Sequence, residues 1–344
     1  MKALLMEEYR KLKYTDVPDP VIETAHDILV KVKAVAICGS DVHGFDGSTG
    51  RRKPPIVMGH EAAGEVVAVG GEVSGYRPGD RITFDSTIYC GKCFYCQNGQ
   101  VNLCDDRMVL GVSCDEYRRH GAFAEYVVVP EHICYHLPDG LSYEEAAITE
   151  PTAVAAHAFR LTPAGLNDSV AIVGSGLIGL LLLDIVKASV SGKVFALDTD
   201  ANRREVALAR GADAVFDPAD KDLVKKILDL TAGRGVDRVF EAVGATAPIQ
   251  TALSIVRKGG SVALIGNLSA KIDLPLQRVV TGQISLVGSC AIGGEYPIVL
   301  DMIARGKIDV ASLISRKAPL SEGHVWIEKL YNREDKLLKV VLIP

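Results

Sequence analysis

Apolar and polar positions change their rhythm about half-way along the chain. In the first part they form short runs with the composition of β-strands. Asp27 to Ile37 is rich in Val, Ile and Leu, Ile56 to Val69 is broken by Gly59 and Gly64, and Phe123 to Pro130 is mostly β-formers. Turn formers such as Arg77-Pro78-Gly79-Asp80 separate these runs, a pattern of irregular antiparallel β-structure. Ser142-Tyr143-Glu144-Glu145 then opens an Ala-rich segment, with Ser142 as N-cap and Glu145 at the capping-box position. The helix is expected to run toward Arg160, with an early break at Pro151.

After Asn167-Asp168 apolar runs alternate with helical stretches. The runs are Ser169 to Val173, Lys193 to Leu197, Ala212 to Phe216, Val236 to Phe240, Ser261 to Ile265 and Ile284 to Val287. Helix patterns such as Asn202 to Arg210 and Asp220 to Leu230 fill the gaps. Strict alternation implies right-handed βαβ units and a six-stranded parallel sheet, doubly wound. The tail from Cys290 to Pro344 shows no further βαβ unit and is expected to rejoin the first domain. The fold class is therefore α/β. A β-rich domain is expected over 1–153 and a doubly wound domain over 154–289, with 290–344 completing the first.

Composition narrows the function. With 48% hydrophobic and 24% charged residues the chain is globular rather than disordered. A net charge of −5 opposes nucleic-acid binding, which needs a basic face. The apolar stretch Val170 to Leu183 is shorter than the roughly 20 residues of a membrane helix, and Asp184 and Lys187 follow it. Met1 to Met6 lacks the apolar core of a signal peptide, so a cytoplasmic location is expected. The 8 cysteines then call for metal, catalysis or burial, since disulfides are rare in that compartment.

Gly174-Ser175-Gly176-Leu177-Ile178-Gly179 has the G-x-G-x-x-G form between a strand and a helix, with Asp198 ending the next strand. Gly174 permits a tight turn, Gly176 lets a pyrophosphate approach, and Gly179 allows close helix–strand packing. The free N–H groups at the helix start would hold the pyrophosphate. Asp198 can accept from ribose hydroxyls and repels a 2′-phosphate, which favours NAD; Arg203 could stack on adenine or touch the ribose. The alternative for Asp198 is a helix N-cap. Val243-Gly244 and Ile265-Gly266 follow two strand ends, where open α/β sheets bind ligands, so backbone contacts to NAD are expected there.

Cys90, Cys93, Cys96 and Cys104 form C-x2-C-x2-C-x7-C within one loop. Four thiolates so close can close a tetrahedron around structural zinc, and an iron–sulfur cluster is the chemical alternative. With all four positions filled, the group implies stability rather than chemistry. Cys38 and His60-Glu61 are different, because a catalytic zinc takes three protein ligands and keeps one position open.

Cys38-Gly39-Ser40-Asp41, Gly59-His60-Glu61-Ala62-Ala63-Gly64, Arg77-Pro78-Gly79-Asp80-Arg81, the four-cysteine lobe and the Gly174 motif occur in this order. The chain thereby resembles the zinc-containing medium-chain dehydrogenases/reductases over essentially its whole length. Glu150-Pro151 resembles the polyol (sorbitol/xylitol) and threonine dehydrogenase branch, since alcohol dehydrogenases proper carry Cys at that point. The resemblance implies a GroES-like catalytic domain, a Rossmann domain, one catalytic and one structural zinc, and a homo-oligomer, tetramer or dimer. It makes Cys38 and His60 zinc ligands, with Glu61 and Glu150 competing for the remaining place. Ser40 and His43 resemble the family's proton relay. The implied reaction moves hydride between a secondary alcohol, a small-molecule polyol or sugar derivative, and NAD. A threonine-type or amino-alcohol dehydrogenase uses the same apparatus, and a non-catalytic dinucleotide-binding protein is the alternative of another class.

Two departures bear on the substrate. Many sorbitol dehydrogenases carry an aromatic residue directly after the relay histidine, where this chain has Gly44. They also place an arginine after the last Rossmann strand; aligned on Tyr296-Pro297, that position is Ala291. Both losses are expected to widen the pocket and turn choice away from free sorbitol. Arg51 or Arg52 could replace the clamp for a substrate with a carboxylate or phosphate. His26, His120, His132, His136, His157 and His324 read as structural or solvent-facing, and Cys114, Cys134 and Cys290 as free thiols.

Overall fold

The computed structural model describes residues 1–113 and 118–344. The chain divides into two compact units, Met1–Glu150 with Ile292–Pro344, and Pro151–Ala291. In the first unit the strand Asp27–Ala36 is central. It pairs antiparallel with Glu61–Val69 and Tyr126–Pro130, and its end meets the C-terminal strand Lys339–Ile343. The tail therefore completes the first unit, and it brings Lys339 to the Ile37 carbonyl and Glu61.

Three expectations change here. Lys2–Glu8 and Lys11–Asp16 form an antiparallel hairpin that the sequence reading did not mark; Ala3, Leu4 and Met6 are buried, so alternation was present but short. The tail does contain a βαβ unit. Ile314–Pro319 and Lys339–Ile343 pair in parallel around the helix Gly323–Tyr331. Its first strand is largely exposed, and such a polar run carries little strand signal. The Ala-rich helix is two, Tyr143–Ala147 and Thr149–Leu161, divided at Ile148 rather than at Pro151. Pro151 lies in the first turn of the second helix, where a missing N–H costs nothing. The capping box of Ser142 and Glu145 forms.

The second unit is a six-stranded parallel sheet. Numbered from Val170–Val173, its strands lie in the order 3-2-1-4-5-6, so the chain winds outward from the first strand in both directions. The fifth strand, Val256–Leu264, starts before its sequence pattern because Arg257 to Gly260 form an irregularity between two paired stretches. The apolar run Val170 to Leu183 is a strand followed by a helix buried on nearly every side, Leu177–Ser189. Leu180, Leu181, Leu182 and Leu183 are almost wholly enclosed. Each stabilises the fold by about 1.5–3 kcal/mol relative to exposure. Among the described residues no helix is long and apolar enough to cross a membrane.

Candidate active site and metal centres

The four-cysteine loop folds back on itself. Ligand atoms of Cys90, Cys93, Cys96 and Cys104 all lie within 4.8 Å of one another. Sulfurs about 2.3 Å from a central zinc would stand about 3.8 Å apart at tetrahedral angles. Cys93 Sγ is 3.5 Å from Cys96 Sγ, and the Cys90 amide donates to Cys104 Sγ at 3.3 Å. Backbone N–H groups draw the Cys93 thiol down to about 6, while burial pushes Cys96 up to about 12. No described cysteine is in a disulfide. The donor set and its spacing fit a tetrahedral thiolate-bound metal. Cys134 is buried and Cys290 exposed; Cys114 lies outside the described residues.

A second convergence sits where the strand Asp27–Ala36 ends. Cys38 N-caps the short helix Gly39–Gly44: its sulfur accepts from the Ser40 amide, and Asp41 accepts from the Cys38 amide. Gly59, at φ +89°, turns the chain so that His60 and Glu61 enter the next strand beside Cys38; a Cβ there would meet the Phe123 ring at 2.6 Å. Ligand atoms of Cys38, His60 and Glu61 lie within 4.8 Å of one another. Burial and the Glu61 carboxylate push the Cys38 thiol up. Lys339 Nζ holds Glu61 Oε2 at 2.6 Å and the Ile37 carbonyl at 2.9 Å. Among the described residues Glu61 Oε1 and His60 Nδ1 are buried with no hydrogen-bond partner, His60 Nδ1 standing 3.5 Å from Asp41 Oδ1. A buried carboxylate oxygen without a donor is costly unless a cation completes it. The residues fit a metal with one thiolate, one imidazole and one carboxylate donor.

Glu150 opens the helix Thr149–Leu161 and accepts from Ser86 Oγ at 2.9 Å. Burial pushes it up to about 7, with His60 opposing and the Glu61 and Asp85 carboxylates adding to the rise. Glu61, rather than Glu150, converges with Cys38 and His60. Ser40 is exposed, and its Oγ lies 3.2 Å from Cys38 Sγ and 3.5 Å from His60 Nε2. His43 is exposed. Gly44, where a wider pocket is expected, has the Arg52 side chain against it. A Cβ there would stand 2.7 Å from Arg52 Cδ, so the Arg52 side chain fills that space. Arg51 is exposed, whereas Arg52 is buried and pairs with Asp41 at 3.0 Å. Tyr296 is enclosed, donating to the Phe84 carbonyl at 2.6 Å. Lys339, Asp41 and Ser86 were missed; a lone Lys inside the apolar run Leu338 to Ile343 was the available signal for the first.

In the second unit Gly174 has φ +94°, and a Cβ on Gly179 would stand 1.9 Å from the Gly174 carbonyl oxygen. Gly176 caps the helix Leu177–Ser189 with no side-chain partner, leaving the first amides to a ligand. Asp198 is not the next helix's N-cap; that is Asp200, which accepts from the Asn202 amide. Asp198 instead accepts from the amides of Ser175 and Asp200 at 2.8 and 2.9 Å, tying the glycine loop to the strand end. Arg203 Nη1 lies 3.8 Å from Asp198. At Val243 and Gly244, where backbone contacts to the cofactor are expected, the amide donors are already engaged. Both amides donate to the Glu241 carboxylate, at 2.7 and 2.9 Å, which leaves their carbonyl oxygens as the backbone groups for such a contact. Gly266 packs backbone to backbone on Gly244, where a Cβ would stand 2.1 Å from the Gly244 nitrogen; Ile265 donates to the Glu241 carbonyl.

The alcohol dehydrogenase GroES-like domain matches residues 24–139 and the zinc-binding dehydrogenase domain residues 178–305. The chain belongs to the zinc-containing medium-chain dehydrogenases. Within that family it falls in the polyol branch. It is 34% identical to sorbitol dehydrogenase of Bacillus subtilis, over all of this chain and 97% of that one. It is 35% identical to D-arabitol-phosphate dehydrogenase of Enterococcus avium, over 97% of this chain and 94% of that one. Among solved structures, a zinc-binding dehydrogenase of Sinorhizobium meliloti bound to NADP superposes with a TM-score of 0.90. It is 32% identical, with 100% of this chain and 99% of that one covered. As a medium-chain dehydrogenase the chain has a GroES-like unit and a Rossmann unit and uses zinc and a nicotinamide dinucleotide.

Proposed function

We propose that this zinc-dependent alcohol oxidoreductase transfers hydride between a secondary alcohol of a polyol or sugar-derived substrate and NAD. The observation that carries the reading is the convergence of Cys38, His60 and Glu61 around a buried carboxylate oxygen that no donor meets. Zinc held there supplies Lewis acidity, which favours loss of the alcohol's proton. Cys38 Sγ, a His60 nitrogen and Glu61 Oε1 would hold it, and Lys339 fixes the other oxygen of Glu61. Glu150 is a second carboxylate for the same site, oriented by Ser86 and not itself among the three donors. The Ser40 hydroxyl takes the alcohol's proton and His43, being exposed, releases it to solvent.

A second zinc in the four-cysteine loop stabilises that lobe. NAD is preferred over NADP because the Asp198 carboxylate is held in place and would repel a 2′-phosphate. The pyrophosphate lies on the helix start at Gly176 to Ile178. The protein acts as a homo-oligomer. Support comes from the sixth strand of the Rossmann sheet, an open edge, and from exposed Leu276 and Val280 on the helix before it. The likeness to an arabitol-phosphate dehydrogenase and exposed Arg51 support a polyol other than free sorbitol, anionic ones included. The test is NADH formation with polyols, sugar acids, polyol phosphates and amino alcohols, with and without a chelator. NADH formation that a chelator leaves intact, or that appears only with amino alcohols, refutes the reading.

A further inference from the structure

We infer that Arg52 is a positioning residue for the proton relay: its guanidinium fixes the Ser40 hydroxyl so that this group accepts one proton and passes on another. The inference rests on the reading above, in which Cys38, His60 and Glu61 hold the metal and Ser40 is the relay hydroxyl. Arg52 is enclosed, with a side chain 3% exposed, on the loop that precedes the strand Ile56–Val57. Its Nη2 lies 3.1 Å from Ser40 Oγ and 3.0 Å from Asp41 Oδ1. A guanidinium has donors only and keeps its charge at any working pH, so Ser40 must be the acceptor. A hydroxyl has two lone pairs and one proton. One lone pair is occupied by Arg52.

The Ser40 proton faces Cys38 Sγ at 3.2 Å and His60 Nε2 at 3.5 Å. A metal held there would take the His60 Nε2 lone pair and leave the Cys38 thiolate a weaker acceptor, so the Ser40 proton is free to pass on, by way of solvent, to exposed His43. One lone pair is then left for an incoming alcohol O–H. The hydroxyl becomes a conduit with a single input and a single output, which a freely rotating serine is not. Two features show what it takes to keep Arg52 there. Gly44 is required, because any Cβ would collide with Arg52 Cδ. The guanidinium is neutralised by buried Asp41, yet its Nε stays buried and without a partner among the described residues. Replacing a buried ion pair by apolar side chains is often neutral or stabilising, so packing alone does not account for an arginine here.

The test is a double-mutant cycle in the zinc-loaded enzyme with Arg52→Met and Ser40→Ala, read on the polyol it oxidises best. The readouts are kcat, KM, the solvent deuterium isotope effect, zinc content and NADH affinity. Ser40→Ala alone should lower kcat by roughly a hundredfold and Arg52→Met by about tenfold, the scale of proton-transfer assistance. In Arg52→Met, KM and NADH affinity should stay within about threefold, zinc content should be unchanged, and the isotope effect should grow as the proton step slows. In the Ser40→Ala background Arg52→Met should change kcat by less than about threefold, because residues acting through one group are not additive. Arg52→Lys should recover part of the loss.

Full multiplication of the two effects, or zinc lost from Arg52→Met, overturns the inference in favour of a structural role or one exerted through Asp41, whose Oδ1 lies 3.5 Å from His60 Nδ1. An impaired Ser40→Ala beside a normal Arg52→Met overturns this inference alone. A normal Ser40→Ala overturns the relay assignment and the inference with it. If Arg52→Met does not fold, Gly44→Ala displaces the guanidinium without removing its charge. A fall in kcat that disappears in the Ser40→Ala background is then expected, and unchanged kcat refutes the proposal.

Discussion

Replacing Lys339 by methionine tests the electrostatics of the metal site without touching a proposed ligand. The Lys339 and Glu61 side chains are 2% and 1% exposed, and Nζ lies 2.6 Å from Oε2. At an effective dielectric of 20 that separation corresponds to about 6 kcal/mol of attraction, before desolvation is subtracted. Burial alone would lower the Lys339 pKa, but the Glu61 and Cys38 charges overturn that and raise it. Methionine fills the alkyl volume and leaves Glu61 buried without its cation. Breaking one partner of such a pair costs about 3–5 kcal/mol. The Ile37 carbonyl also loses its donor, for about 1 kcal/mol more. Denaturant unfolding of the metal-free protein should show this loss. Zinc should narrow the difference, because it brings positive charge to the same carboxylate. Adding Glu61→Gln to Lys339→Met should restore most of the stability of the metal-free form, since no unpaired charge then remains. A single variant within about 1 kcal/mol of the parent, or a double variant no more stable than the single one, refutes the pairing as described.

Three further outcomes are expected. Asp198→Ala should narrow the preference for NAD over NADP by up to about 4 kcal/mol, the repulsion of two charges about 4 Å apart; a parent enzyme that already prefers NADP in steady-state assays contradicts this. Burial pushes Asp85 up to about 7, against one opposing hydrogen bond from the Thr87 amide. The folded state thus holds a proton that the unfolded chain releases near pH 4, and stability should fall by roughly 4 kcal/mol as pH rises from 4 to 7. Asp85→Asn keeps the acceptor and should make that slope shallower in denaturant melts at several pH values, with buried Glu150 contributing what remains; an unchanged slope refutes the Asp85 share. Cys104→Ser should release one zinc ion per chain in metal analysis and lower thermal stability, and a chain that keeps its full zinc content rules out the four-cysteine site.

What was legible in the sequence follows from how local each feature is. The conformation of Gly174 and the close approach at Gly179 depend on residue type within one turn, so the motif announces them. The four cysteines lie in one loop whose spacing limits how their sulfurs can meet. The strands Val170–Val173, Val194–Leu197 and Val236–Glu241 at the middle of the second unit's sheet are buried on both faces, and continuous hydrophobicity gives them away. The Lys339–Glu61 pair joins positions 278 residues apart, and nothing in either neighbourhood points to the other. The Val243 and Gly244 amides looked available because Glu241, two and three residues earlier, reads as a strand end rather than as their acceptor. Gly44 read as lost bulk, whereas the missing volume is supplied by Arg52 from a neighbouring loop. Resemblance made Cys38, His60, Glu61 and Glu150 candidates; that Glu61 clusters with the first two, and Glu150 does not, is visible only in three dimensions.

The most direct measurement of the central claim is zinc stoichiometry and polyol-dependent NADH formation in Cys38→Ala, beside the parent enzyme. Cys38, His60 and Glu61 are read as the donors of a metal on which turnover depends. The parent should contain two zinc ions per chain. The variant should keep the one in the four-cysteine loop, bind NADH as before, and form no detectable NADH from any polyol. A variant that still turns over polyol while holding a single zinc contradicts the account.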